Sequence, residues 1–363
     1  MYKKNEKKYR KVEIVDIYLL TKTIKEQDAM ISMKDIAERC SVSVATVSKA
    51  LNDHSDIGED TKRHIRETAE RLGYHPNSSA RALKTKRTNN IGVLFVDEGR
   101  SGLTHDYFAK VLDSFKRVSE VSGYDITFIN ATSQKMTYLE HSRYRGVDGV
   151  VIACVDFDDR DVIDLINSEI PVVTIDHVFD NRISVVSDNI GGMRTLVEYV
   201  HSLGHERIAY IYGDDTAVTR NRVASYYNAL RSLGVEAEDN YAIASAYRNP
   251  RRAAQCTKQL LSMKNRPTCI LYPDDYSAIG GLGAIEEAGL VVPDDISVVG
   301  YDGLYVSQII RPKLTTYEQN SEEIGRVAAK SLIRLMRDPK STLIERILVP
   351  GKIIEGGSVK KIN

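Results

Sequence analysis

Residues Ser41–Asn52 read SVSVATVSKALN. Two Ser-Val pairs, a Thr-Val pair and one lysine make the stretch too polar for a buried strand and too apolar for a loop. A short helix fits it: Ser43 can cap the start, and Val44, Val47 and Leu51 fall at i, i+3 and i+7 on one face. Upstream, Ser32 can cap a helix over MKDIAERC with Ile36 and Ala37 facing inward. Only the three residues SVS part the two helices, which is a helix-turn-helix spacing. Downstream, EDTKRHIRETAERLGY predicts a third helix with Ile65, Ala69 and Leu72 on its inner face and Gly73 ending it. Pro76 then prevents continuation. The following PNSSARALKTKRT holds Arg81, Lys84, Lys86 and Arg87 and no acid. So short and basic a segment should order on a phosphate backbone and fray without one.

The rest of the chain bounds what such a helix can serve. Of 363 residues, 42% are hydrophobic and 28% charged, ordinary for a soluble globular protein with room for two or three domains. No apolar run approaches the roughly 18 residues of a membrane span, and no secretory signal follows the basic N-terminus. Cys40, Cys154, Cys256 and Cys269 are scattered without a C-x-x-C pair. That argues against a zinc site or disulfide framework and fits a reducing cytoplasm. Formal net charge is zero, but residues 1–90 hold 19 Lys and Arg against 13 Asp and Glu, so a +6 end is joined to a −6 body. The asymmetry suits a nucleic-acid-binding module fused to something else. Residues 1–30 carry a Lys/Arg cluster and the apolar patch VEIVDIYLL, and receive no function.

From Asn90 the grammar changes. NIGVLFV, YDITFIN, GVVIACV, IPVVTID and RIAYIYG are near-continuous apolar, β-branched runs with helical stretches between most of them, and TCILYP and DISVVGYD follow. Buried strands alternating with helices predict doubly wound parallel sheets. There are too many strands for one small sheet, so two lobes with a cleft between them are expected.

These features together resemble the LacI/GalR (lactose-repressor/galactose-repressor) family of transcription regulators, from about Ile31 onward. The resemblance rests on MKDIAERCSVSVATVSKALN, on the Tyr-x-Pro-Asn at Tyr74–Asn77, and on GVDGVVI, LGHERIAYI, DDYSAIGGLGAIEEAGLVVPDDISVVGYD and KLTTYEQ. Three positions depart from the pattern: Cys40-Ser41 in the turn, Asp274 where Asn is usual, and Ser225 where Gly is usual. The implied fold is an all-α helix-turn-helix domain over 31–75, a hinge helix over 76–89, and an α/β two-lobed, periplasmic-binding-protein-like sensor over 90–360. Its N-lobe would take about 90–187 and 318–340, its C-lobe about 188–317 and 341–360.

The resemblance also assigns roles. Val44, Ala45 and Lys49 would read bases in the major groove, with lysine donating to guanine O6 or N7 and the apolar pair meeting a thymine methyl. Ser43, Thr46, Ser48 and Asn52 would bond phosphates and fix register, and Asn77 would join the DNA contacts. In the hinge, Leu83 would wedge into the minor groove, Ala80 would admit the backbone and Lys84 would reach a groove edge or phosphate. The plainer alternative packs Leu83 on the hinge helix.

For the sensor, Tyr107, Phe108, Asp176, Arg222, Tyr247 and Asp275 would line an effector pocket. Acids accepting from hydroxyls, an arginine donating and rings stacking suit a carbohydrate. Each has a plainer reading too: Asp176 or Asp275 as a helix cap, Tyr107 or Phe108 as core. Asp274 beside Asp275 adds charge that would disfavour a phosphorylated ligand. No serine or cysteine sits in a nucleophile-elbow context and GGLGAIEEAG lacks the third glycine of a dinucleotide fingerprint, so neither catalysis nor a cofactor is expected. A homodimer on pseudo-palindromic operator DNA is implied, and VPGKIIEGGSVKKIN lacks the leucine heptads of a tetramerisation coil. A sugar-binding receptor without a gene-regulatory role is the alternative.

Overall fold

The computed structural model describes residues 31–74, 87–96, 102–130, 136–238 and 240–362. The extension 1–30 and the hinge positions Asn77, Ala80, Leu83 and Lys84 lie outside them. The chain divides into two compact units, Met1–Lys86 and Arg87–Asn363.

In the first unit three helices are set by local chemistry. Helix α1 (Met33–Cys40) begins with a capping box, the Ser32 hydroxyl accepting from Asp35 N while Asp35 accepts from Ser32 N. It ends at Ser41, held in the left-handed region at φ 52°. Helix α2 (Val44–Leu51) is capped by Ser43, and α3 (Glu59–Arg71) runs out through Leu72 into Gly73 at φ 66°. Ile36, Ala37, Val47, Ala50, Ile65 and Ala69 form the core, with Leu51 and Leu72 packed around it. Val44 does not belong to that core: it is 45% exposed. The inner stripe of α2 is Val47, Ala50 and Leu51, with Val44 exposed on the opening turn.

The second unit holds two six-stranded sheets. The first runs β11 (Arg346–Val349), β5 (Ile183–Ser187), β4 (Val172–Ile175), β3 (Gly149–Ala153), β1 (Asn90–Phe95), β2 (Asp125–Ile129), with every pair parallel. The second runs β12 (Lys352–Ile354), β10 (Thr315–Glu318), β9 (Ser297–Asp302), β8 (Cys269–Leu271), β6 (Ile208–Tyr212), β7 (Ala242–Ala244), antiparallel only at β10–β12. Helices cover both faces. In the N-lobe, α4 (Asp106–Val121) and α12 (Ser321–Arg337) bury one face, with Phe115, Ile324 and Leu332 against Val93 and Val151. On the other, Leu94, Ile129 and Ile152 meet Leu165 and Ile166 of α6 (Arg160–Ile166). That is why β3 reads as an unbroken apolar run, every residue in it being buried, whereas β5 is equally buried but carries Ser184 and Ser187. Gly325 lets α12 cross α4 closely, since a Cβ there would lie 2.1 Å from the Val111 carbonyl oxygen.

One boundary differs from the sequence expectation. The resemblance implies a C-lobe place for 341–360, but β11 pairs with β5 from Arg346↔Ser184 to Val349↔Ser187 and closes the N-lobe edge. Only β12 returns to the C-lobe. The open edge of β5 offers unpaired backbone groups, and an apolar ILV segment is the nearest strand able to satisfy them. The backbone therefore passes between lobes three times: after Ser187, after Glu318 and after Val349.

Candidate DNA-reading helix and interlobe crevice

On α2, Ser43, Val44, Ala45, Lys49 and Asn52 are exposed, and Thr46 and Ser48 are half-buried. The Ser43 hydroxyl is committed to the cap, accepting from Thr46 N at 3.0 Å and facing the Thr46 hydroxyl at 2.9 Å. Asn52 donates from Nδ2 to Ser48 O at 2.7 Å, which closes the helix end. Lys49 Nζ meets the Asp56 carboxylate at 2.5 Å. Val44 and Ala45 present only apolar surface. The exposed face is thus apolar at its N-terminal turn and cationic one turn later.

In the sensor, the carboxyl ends of the strands face the crevice where open α/β sheets take ligands. Asp176 ends β4 in the left-handed region at φ 58°. Its carboxylate accepts from Tyr107 Oη at 2.9 Å and from Ser187 N at 2.8 Å. Burial pushes its pKa up, with those two donors and Arg222 opposing. Tyr107 is buried, and Phe108 stands edge-on to it at 4.9 Å.

Arg222, on α8 (Ala217–Ser232), is 3% exposed. It donates from Nε to Asn189 Oδ1 at 2.8 Å and from Nη1 to Pro273 O at 3.0 Å. Its guanidinium lies 3.6 Å above the Tyr301 ring. Burial alone would lower its pKa, but the surrounding phenols and Asp302 outweigh that and hold it above the ordinary value. Tyr247 completes the enclosure, its hydroxyl 2.8 Å from Thr219 Oγ1 and its ring covering Gly213 at the end of β6.

Asp275 is placed differently from the expectation. It is fully buried at the start of α10 (Asp275–Glu287), accepting from Thr316 Oγ1 and from Leu304 N, both at 2.6 Å. It ties α10 to β10 inside the C-lobe, each bond taking one of its carboxylate oxygens. Asp274 is the α10 cap, bonded by Ser277 N, Ser277 Oγ and Arg248 N. Ser225 donates to Ile190 O at 2.6 Å and joins α8 to α7 (Asn189–Ser202).

Three crevice residues went unread in the sequence. Asp302 ends β9 at φ 97°, half-buried, with Gln319 Nε2 donating to Oδ1 at 2.6 Å. Burial raises its carboxyl pKa to about 6 while Arg222 pulls it back. Asp106, at the start of α4, accepts from Tyr276 Oη of the other lobe at 2.9 Å, and Arg248 Nη2 approaches the same oxygen at 3.6 Å. The only signal for Asp302 was its position at the end of DISVVGYD. Nothing local marks Asp106 or Tyr276.

A cavity of about 220 Å³ opens between the lobes, lined by Asp176, His177 and Ser187 on one side and Asn189, Val218 and Asn221 on the other. Of the six expected pocket residues only Asp176 lines it. A wider concavity of about 490 Å³ lies on the C-lobe around Arg207, Lys264 and Arg266, before β6 and β8 begin. It is at the wrong end of the strands for a ligand in this fold class. Among the described residues no His, Cys, Asp and Glu cluster could hold a metal. No helix among them is long and apolar enough to cross a membrane.

Comparison with known proteins agrees with both halves. The profile of bacterial regulatory proteins of the lacI family matches residues 32–77, and that of the periplasmic binding protein-like domain matches 197–359. A probable HTH-type transcriptional repressor, ExuR of Bacillus subtilis (strain 168), is 32% identical over 339 residues, covering 92% of this chain and 99% of its own. The chain belongs to the lacI family. Catabolite control protein A of Priestia megaterium is 28% identical across 84% of this lacI-family chain and 92% of its own. The lac repressor dimer bound to operator and the anti-inducer ONPF matches with a TM-score of 0.77 and 26% identity, over 91% of this chain and 99% of that one. A LacI-family regulator from Enterococcus faecium with bound ribose matches with a TM-score of 0.64 and 26% identity, over 76% and 100%. This lacI-family protein is a DNA-binding transcriptional regulator with an effector-binding body, not an enzyme. The match over 32–77 sets aside a receptor without a gene-regulatory role.

Proposed function

We propose that the protein is a cytoplasmic homodimeric repressor whose operator affinity is set by a carbohydrate bound between the lobes. The observation that carries the ligand class is the crevice chemistry around Arg222: a buried guanidinium on an aromatic floor, with the half-buried Asp302 carboxylate within its electrostatic reach. A polyol's hydroxyls can accept from the one and donate to the other while its apolar face meets a ring. The ribose-bound and operator-bound relatives support the same reading. In the proposed scheme Val44, Ala45 and Lys49 read bases. Ser43, Thr46, Ser48, Asn52 and Asn77 hold phosphates. Ala80, Leu83 and Lys84 act at the minor groove, and a two-fold dimer mirrors its operator. Tyr107 orders Asp176, and Phe108, Arg222 and Tyr247 shape the site.

Effector binding would change the interlobe angle and so the population of the DNA-competent state. A thermal-shift panel of sugars, sugar acids and sugar phosphates tests this, with hits repeated on Asp302→Asn, a conservative change at a half-buried position. Stabilisation by one sugar, reduced in the variant, is expected. A panel without any stabilising compound would overturn the carbohydrate reading and leave DNA binding intact.

A further inference from the structure

Two acids, Asp53 and Asp56, follow α2, and they are not equivalent. Asp53, in the left-handed region at φ 60°, is bonded by Arg66 at 2.8 Å and Lys62 at 3.1 Å, so α3 neutralises it. Asp56 has one ion-pair partner among the described residues, Lys49, whose hydrogen bond holds its carboxyl pKa below the ordinary range. Lys49 in turn is the only base-reading candidate on α2 that carries charge. Both side chains are about half exposed, so solvent screens the pair and DNA can compete for the lysine.

Resting on the DNA-binding reading above, we propose that Asp56 is a specificity-determining residue that withholds Lys49 from phosphates. On arbitrary DNA, where an isolated phosphate is the competing acceptor, the ammonium stays with Asp56 and releases no counterion. At the correct operator, guanine O6 and N7 offer two acceptors at one base edge, and the lysine transfers to them. The residual Asp56 carboxylate, beside the groove, repels phosphates brought too close by a wrong register. Non-specific affinity is thereby lowered more than specific affinity, which raises the ratio on which finding an operator depends.

The test compares the full-length protein with Asp56→Asn, Lys49→Ala and the double variant. All four titrate a fluorescent random-sequence duplex across a series of salt concentrations, and each selects its preferred site from a random pool. Asp56→Asn removes the charge and keeps the side-chain size at an exposed position, so folding is expected to be retained, checked by circular dichroism. Its affinity for random DNA should rise about two- to five-fold, the scale of a screened surface ion pair. The slope of log K against log salt should steepen by about 0.9, one extra phosphate neutralised. Both changes should vanish in the Lys49→Ala background. An unchanged salt slope in Asp56→Asn overturns the proposal. So does weaker binding to both random and selected DNA, which would make Asp56 itself a base contact. Failure of the unaltered protein to bind the duplex or enrich any site would instead sink the DNA-reading assignment.

Discussion

Tyr276 Oη donates to Asp106 Oδ2 at 2.9 Å, and the two residues belong to different lobes. Arg248, whose guanidinium lies 5.2 Å from the Tyr276 ring, approaches the same carboxylate. Burial and the Asp106 bond raise the Tyr276 pKa above the ordinary phenol value, so the donor persists at neutral pH. The bond joins the two lobes directly. Tyr276→Phe deletes the hydrogen bond without changing the ring, and should weaken effector binding by up to about tenfold, the equivalent of one net hydrogen bond. Calorimetric titration reads it, and an affinity equal to the parent's would show that the clasp does not hold the ligand-binding state.

Burial pushes the Asp302 carboxyl up from its ordinary 3.8 to about 6. A raised folded-state pKa means that its contribution to stability is present at low pH and lost as pH climbs from about 3.8 towards about 6. Effector binding should run the other way, since hydroxyls donate to the ionised form. Affinity should therefore rise between pH 5 and 7 and level off beyond, with Asp302→Asn flattening the profile. A parent profile without curvature in that window would remove Asp302 from the site.

Ser41 occupies a left-handed position that a side chain enters at a cost of about 1 kcal/mol. Ser41→Gly should stabilise the helix-turn-helix by a few tenths to about 1 kcal/mol, the relief being partly offset by greater freedom in the unfolded chain. Slower amide exchange in α1 and α2 would report it. Faster exchange in Ser41→Gly would mean the serine side chain stabilises the turn in some other way.

Gly325→Ala should have the opposite effect in the sensor. A Cβ would meet the Val111 carbonyl oxygen at 2.1 Å, and backbone on both sides leaves no flexible group to give way. Overpacking at a helix crossing costs about 1–3 kcal/mol. The melting temperature of the sensor should fall, and an unshifted value would show that α4 and α12 can separate freely.

Local chemistry wrote the legible parts of the molecule. Caps at Ser32 and Ser43 and the Ile65–Ala69 spacing act within a few residues, so the three helices could be read directly. Fully buried strands announce themselves by composition. Side-chain direction was less accessible. Asp274 and Asp275 are adjacent, but the first is an extended N-cap residue and the second opens the helix with its carboxylate bonded to Thr316, 41 residues away. The Asp106–Tyr276 bond spans 170 residues and involves neither a motif nor a spacing. The edge position of β11 likewise depends on which sheet has an unpaired edge, and that is known only after both sheets are assembled.

The interleaved lobes also fix an order of events on the ribosome. The face of the first sheet bearing Val93, Val151 and Val173 is covered by Ile324, Ala328, Leu332 and Met336, and these arrive after the whole second-lobe segment has been synthesised. Both sheets then receive an edge strand from the last stretch of chain, β11 for one and β12 for the other. Translation halted before Arg346 therefore yields two incomplete lobes, never one finished lobe joined to the DNA-reading helices. A prematurely terminated product would expose apolar sheet to proteolysis before it could occupy an operator that it has no means of releasing on cue.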